Sequence, residues 1–163
     1  MKTIIIGYGN PDRQDDGIAW HVLQQTALRL GLPVSDTWED ELPCTELEDS
    51  SELEFRFYLQ LMPEIAETVA EYDRVCFVDA HTGQIAEPVR LVELAPAFQA
   101  SPFTHHLTPE TLLSLCLALY GQSPQAALLT VRGYQFGFNL PLSEQTAALL
   151  PQAVDALLGW LQD

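Results

Sequence analysis

The sequence predicts an α/β fold, a three-layer sandwich in which a twisted, mostly parallel sheet of about five strands carries helices on both faces. Three observations predict it. Short apolar runs without polar alternation, at residues 3–6, 75–78 and 128–131, read as strands buried on both sides. Between them lie segments whose apolar residues recur at helical spacing and whose ends carry capping residues. The 163 residues are 47% hydrophobic, which suits a single domain over 1–163 with a proper core.

Each element follows in order. Thr3 to Tyr8 is the first strand, running into the turn Gly7-Tyr8-Gly9-Asn10. Asp15 or Asp16 then caps a helix extending to Leu30, with Ile18, Val22, Leu23 and Leu30 as its apolar stripe. Gly31 and Pro33 end it. An acid-rich loop follows, and Phe55 to Leu59 reads as an aromatic strand. Pro63 suits the first turn of a helix with Ile65, Val69 and Tyr72 inside. Val75 to Val78 is a buried strand ending at Asp79-Ala80, and Val89 to Glu93 alternates as a strand nearer the edge. Pro96 to Thr104 is loop. Thr108 caps a helix with Pro109 in its first turn, Leu119 near its end and Gly121 beyond. Leu128 to Val131 is the third buried run, and Ser143-Glu144 opens a last helix towards Leu161.

Composition narrows the function. The formal charge is −16, from 23 acids against 7 Lys and Arg. This balance argues against nucleic acid as a partner, and against an anionic membrane surface, because both need clustered basic residues. A cationic partner or a metal is favoured. Much of the excess lies in residues 36–54, where a solvated acidic loop is the plainer reading and a docking surface for a basic partner the sharper one. No apolar stretch approaches the ~20 residues of a membrane span. The N-terminus has no signal-peptide pattern. Cys44, Cys76 and Cys116 are an odd number without CxxC spacing, which predicts a reducing compartment, the cytoplasm.

Ligands in such folds sit outside the carboxyl ends of the strands. Two acidic features fall there: the pair Asp15-Asp16 after the first strand, and Asp79 after the VCFV strand. A phosphate site would need bare amides at the helix start, whereas carboxylates there repel phosphate and attract a cation. Either acid alone is an ordinary turn residue; two at one edge point to a site. Thr104-His105-His106-Leu107, just before a helix, is the third feature. Two carboxylates and an imidazole form the donor set of a divalent transition metal. No GxSxG, HExxH or GxGxxG spacing is present. Cys116 and Cys76 read as core residues, and acidic neighbours blunt Cys44 as a nucleophile. His21 reads as a helix-boundary residue, His81 as a residue that supports Asp79 from behind, and Glu64 as helix surface.

Together, GYGNPDRQDDGIA, VCFVDA and THHLTPETLLSLCLALYG resemble the hydrogenase maturation endopeptidase family in their order and over nearly the whole length. The last helix, with Ala147, Leu150-Pro151 and Val154, is similar too. Departures are Ala19 where the family carries glycine and a long acidic insert. Gln60-Leu61-Met62-Pro63-Glu64 resembles the branch serving soluble, bidirectional NAD(P)-linked hydrogenases. The resemblance implies a twisted, mainly parallel sheet between helices. It also implies an endopeptidase that removes the C-terminal extension of a nickel-iron hydrogenase large-subunit precursor after nickel insertion.

Carried over residue by residue, the resemblance puts the metal-contacting and catalytic roles on Asp16, Asp79 and His105, with His106 as the alternative histidine. The nickel arrives with the precursor, no organic cofactor is implied, and the protein acts as a monomer. The metal would polarise the scissile carbonyl or activate water, in keeping with the lack of a nucleophile motif. The competing expectation is a non-catalytic nickel-sensing module, or chaperone, for the same subunit.

Overall fold

The computed structural model describes residues 1–98 and 107–163. Among these are strands β1 (Lys2–Tyr8), β2 (Cys44–Glu46), β3 (Glu52–Tyr58), β4 (Arg74–His81), β5 (Val89–Leu94) and β6 (Gln125–Arg132). The helices are α1 (Ile18–Arg29), α2 (Ile65–Val69), α3 (Pro109–Tyr120) and α4 (Glu144–Gln162). The strands form one sheet in the order β2-β3-β1-β4-β6-β5. The central pairs β3–β1, β1–β4 and β4–β6 are parallel, whereas the edge strands β2 and β5 run antiparallel to their neighbours.

Because strand side chains alternate, β1 and β4 feed two separate cores. Ile5, Cys76 and Val78 point to the layer of α1 and α4, where they meet Ile18, Val22, Leu23 and Leu157. Ile4, Ile6, Val75 and Phe77 point to the layer of α2 and α3, packing against Ile65, Val69, Leu112 and Cys116. The Cys116 thiol donates to the Ala66 carbonyl at 3.4 Å and ties α3 to α2. The isoleucine and valine runs are therefore continuous in sequence because both faces are covered.

The predicted architecture, a mostly parallel sheet between helices, is the one observed, with three corrections. The sheet has six strands among the described residues, the extra one being β2 inside the acidic loop. Neither Asp15 nor Asp16 caps α1. A kinked 3-10 segment, Pro11–Gly17, intervenes, and α1 starts at Ile18 with Gly17 at its cap position. Leu30 lies beyond the last turn of α1 and is 38% exposed, because Gly31 turns the chain away at φ 77°. The predicted caps of the later helices hold. The Thr108 hydroxyl accepts from the Thr111 amide at 3.2 Å, and the Ser143 hydroxyl accepts from the Thr146 amide at 3.3 Å.

Candidate functional site

The acidic pair divides into two roles. Asp15 is fully buried. Its carboxylate accepts from the amides of Tyr134, Gln135 and Ser143 at 2.8, 2.9 and 2.8 Å. It also accepts from the hydroxyls of Ser143 and Thr146 at 2.6 and 2.8 Å. Burial alone would push this carboxyl up; the hydrogen bonds from Ser143, Tyr134 and Gln135 outweigh it and hold the group below its ordinary value. Asp15 is thus an anchor between the first turn and the start of α4.

Asp16 faces the opposite way and is half-buried. Its Oδ2 accepts from the Asn10 amide at 2.8 Å. The turn that supplies this amide is fixed on its other side, where the Gly9 amide donates to the Tyr58 carbonyl of β3 at 3.1 Å. Gly9 has φ 143°, and a Cβ there would lie 2.1 Å from the Asp16 carbonyl oxygen. Only glycine fits so close an approach. Gln14, just before the pair, sits at φ 53°, ψ −111°, a costly conformation for a residue with a side chain. It is held by the Gly137 amide donating to its Oε1 at 3.1 Å and by its own amide donating to Gln135 Oε1 at 3.3 Å.

Asp79 comes to the same edge through the sheet. Gly7 of β1 stands opposite Val78 of β4, so Tyr8 and Asp79 follow side by side as the strands end. Two-residue alternation turns both towards the α2 and α3 layer, as it does Ile6 and Phe77 one repeat earlier. The Tyr8 hydroxyl donates to the Asp79 carboxylate, and the Ala80 amide donates to Asp79 Oδ1 at 2.7 Å. Burial nevertheless dominates, and with the nearby charge of Asp16 it pushes the Asp79 carboxyl up to about 7. The Tyr8 phenol is pushed well above its ordinary value by burial, then by Asp79, with a further contribution from Glu110 in the first turn of α3.

Asp16 and Asp79 therefore lie at the same carboxyl edge of the central strands, near enough for the Asp16 charge to add a minor part to the rise of Asp79. His105 and His106 lie outside the described residues. Among the described residues, no three His, Cys, Asp or Glu side chains group as metal ligands. His81 does not support Asp79. It is buried at the far end of β4, where Nδ1 accepts from the Gly83 amide at 3.1 Å and Nε2 donates to the Glu87 carbonyl at 3.2 Å, ordering the turn into β5. Glu64 is exposed at the start of α2, as predicted. Cys76 and Cys116 are core residues, and the Cys44 thiol is pushed up by partial burial and by Glu54 and Glu52. Sequence reasoning missed Tyr8 and Glu110. Parity held the signal for Tyr8, since a residue two places beyond Ile6 must share its face.

Solved structures share the fold. A hydrogenase maturating endopeptidase, HybD, from E. coli superimposes with a TM-score of 0.68 at 17% identity, covering 99% of this chain and 93% of that one. A [NiFe] hydrogenase maturation protease, HycI, from Thermococcus kodakarensis KOD1 gives 0.65 at 17%, again covering 99% and 93%. This is the hydrogenase maturation endopeptidase fold. A third structure with that fold, the [NiFe] hydrogenase maturation protease HybD from Thermococcus kodakarensis, gives 0.62 at 13% and covers 98% and 99%. No family model and no curated relative matches the chain.

Proposed function

We propose that the protein is an endopeptidase of hydrogenase maturation. It removes the C-terminal extension of a nickel-iron hydrogenase large-subunit precursor once nickel has been inserted. The observation that carries the reading is the placement of two carboxylates, Asp16 and Asp79, at the sheet edge of a fold shared with proteins named as hydrogenase maturation proteases. Burial and the Asp16 charge disfavour ionisation of Asp79, and a divalent cation beside both carboxylates would reverse that. Oxygen donors of this type, completed by His105, suit a borderline metal such as nickel. In this reading the nickel is part of the substrate.

This chain's own residues supply position and charge. Asn10 orients the Asp16 carboxylate, and Tyr8 and Ala80 orient that of Asp79. Substrate nickel held there would polarise the scissile carbonyl or activate water. The client in this reading is a soluble, bidirectional NAD(P)-linked hydrogenase, on the strength of the Gln60–Glu64 segment.

Intact-mass spectrometry on a nickel-loaded precursor, beside a nickel-free control, tests the proposal. The expected result is loss of a C-terminal fragment in the loaded sample only. Asp16→Asn and Asp79→Asn should each slow processing roughly 100-fold or more with the fold retained. Unchanged precursor mass with stable binding would favour the nickel-sensing module. Cleavage of the nickel-free precursor would overturn the metal gate.

A further inference from the structure

β2 covers only part of β3. Its three residues pair with Glu52, Leu53 and Glu54, and the Phe55 amide donates onward to the Pro43 carbonyl at 3.2 Å. Beyond that point β3 continues to Tyr58 with β1 as its strand neighbour on one side. Backbone polarity alternates along a strand, and the Tyr58 carbonyl faces β1, where it accepts from Gly9. The N–H and C=O of Phe57 therefore face the other side. They have no hydrogen-bond partner among the described residues.

That open stretch borders a groove of about 410 Å³ whose opposite wall is the acidic loop. Trp38 stands edge-on to Phe57 at 6.3 Å between ring centroids. Glu39, Asp40 and Glu41 are exposed along the wall, while Arg56 is paired with Glu54. The groove thus offers unpaired strand hydrogen bonds, an aromatic surface and uncompensated negative charge. It also leads to the candidate site, because β3 ends at the Tyr58–Gly9 bond beside Asp16.

We propose that the Phe57 edge of β3 takes an extended, basic segment of the precursor as an added strand, aligning it towards the Asp16–Asp79 edge. Main-chain hydrogen bonds would give the register, and the acidic wall would select for Lys and Arg. A second copy of this chain is a poor occupant, since each copy carries a charge of −16. The partner's identity rests on the proteolytic reading, whereas docking itself does not.

The test is amide hydrogen exchange at Phe57 with a capped peptide alternating Lys and Val as probe. Its Glu–Val counterpart is the control, and a Glu39→Lys, Glu41→Lys variant is run beside the wild type. The Lys peptide should slow exchange at Phe57 and bind the variant about tenfold more weakly; the Glu peptide should do neither. No slowing, equal slowing by both peptides, or slowing that depends on protein concentration alone would overturn the proposal. Processing is measured separately. If the wild type cleaves no precursor while the Lys peptide still docks, the protease reading fails and the strand edge stands. If cleavage proceeds and the variant keeps wild-type KM, the docking proposal fails alone.

Discussion

Asp79 carries the chemistry most sensitive to pH. Its carboxyl is raised from the ordinary value near 4 to about 7 by burial and by Asp16. A raised acid binds more protons folded than unfolded, so stability falls as pH rises from about 4 to about 7 and then levels off. Asp79→Asn removes that loss. In metal-free buffer the variant should match the wild type near pH 4 and exceed it by roughly 2 kcal/mol near pH 8, after allowance for partial exposure. Urea titrations at both pH values check this, and a variant less stable at pH 8 would contradict the assigned cause. Asp79 was legible as a sheet-edge acid because it stands directly after a buried apolar run, and Asp16 because it follows the turn that ends β1. The division of labour between Asp15 and Asp16 was not. Neighbours in sequence look alike until their partners are known, and those of Asp15 lie 119 to 131 residues away.

Elements show where local signals suffice and where they do not. β1, β4 and β6 were legible because burial on both faces leaves an unbroken apolar run. α3 and α4 were legible because Thr108, Pro109, Gly121 and Ser143 mark their ends. β2 was hidden: Cys44-Thr45-Glu46 has no apolar alternation and owes its form to pairing with β3. The start of α1 was misplaced because the Asp15 side chain, a natural cap, is drawn instead to the beginning of α4. Asp15→Ala should therefore disturb two elements at once. It strands several buried donors, so a loss of about 3 kcal/mol is expected, or roughly 10 °C in Tm. Calorimetry measures it; a loss below ~1 kcal/mol would mean that solvent or a shifted helix satisfies those donors. At low pH the wild type should lose part of that stability, because a lowered carboxyl stabilises above its unfolded pKa and ceases to do so as it protonates.

Charge acts over the whole molecule. The ion pairs Lys2–Glu52 and Arg29–Asp155, both at 3.4 Å, are exposed and contribute little. Arg74 is buried by stacking 4.1 Å from the Trp160 ring while donating to the Trp160 carbonyl at 2.7 Å. Most of the acidic excess, then, has no basic partner, and its repulsion opposes compaction. Raising salt from ~10 mM to ~0.15 M shortens the screening length from ~30 to ~8 Å. Tm should rise by a few degrees over that range, as differential scanning fluorimetry would record; a fall would mean that local pairs outweigh the net repulsion.

The hydrogen bonds to Asp15 also set an order in time. Synthesis delivers the turn bearing Asp16 well before its neighbour's partners, Ser143 and Thr146, which follow Asp15 by 128 and 131 residues. Gln14, likewise, has nothing to hold its strained backbone until Gln135 and Gly137 are made. A nascent or C-terminally clipped chain would own both carboxylates of the candidate site without the contacts that fix their turn. The geometry of this edge then arrives late and all together, when α4 docks.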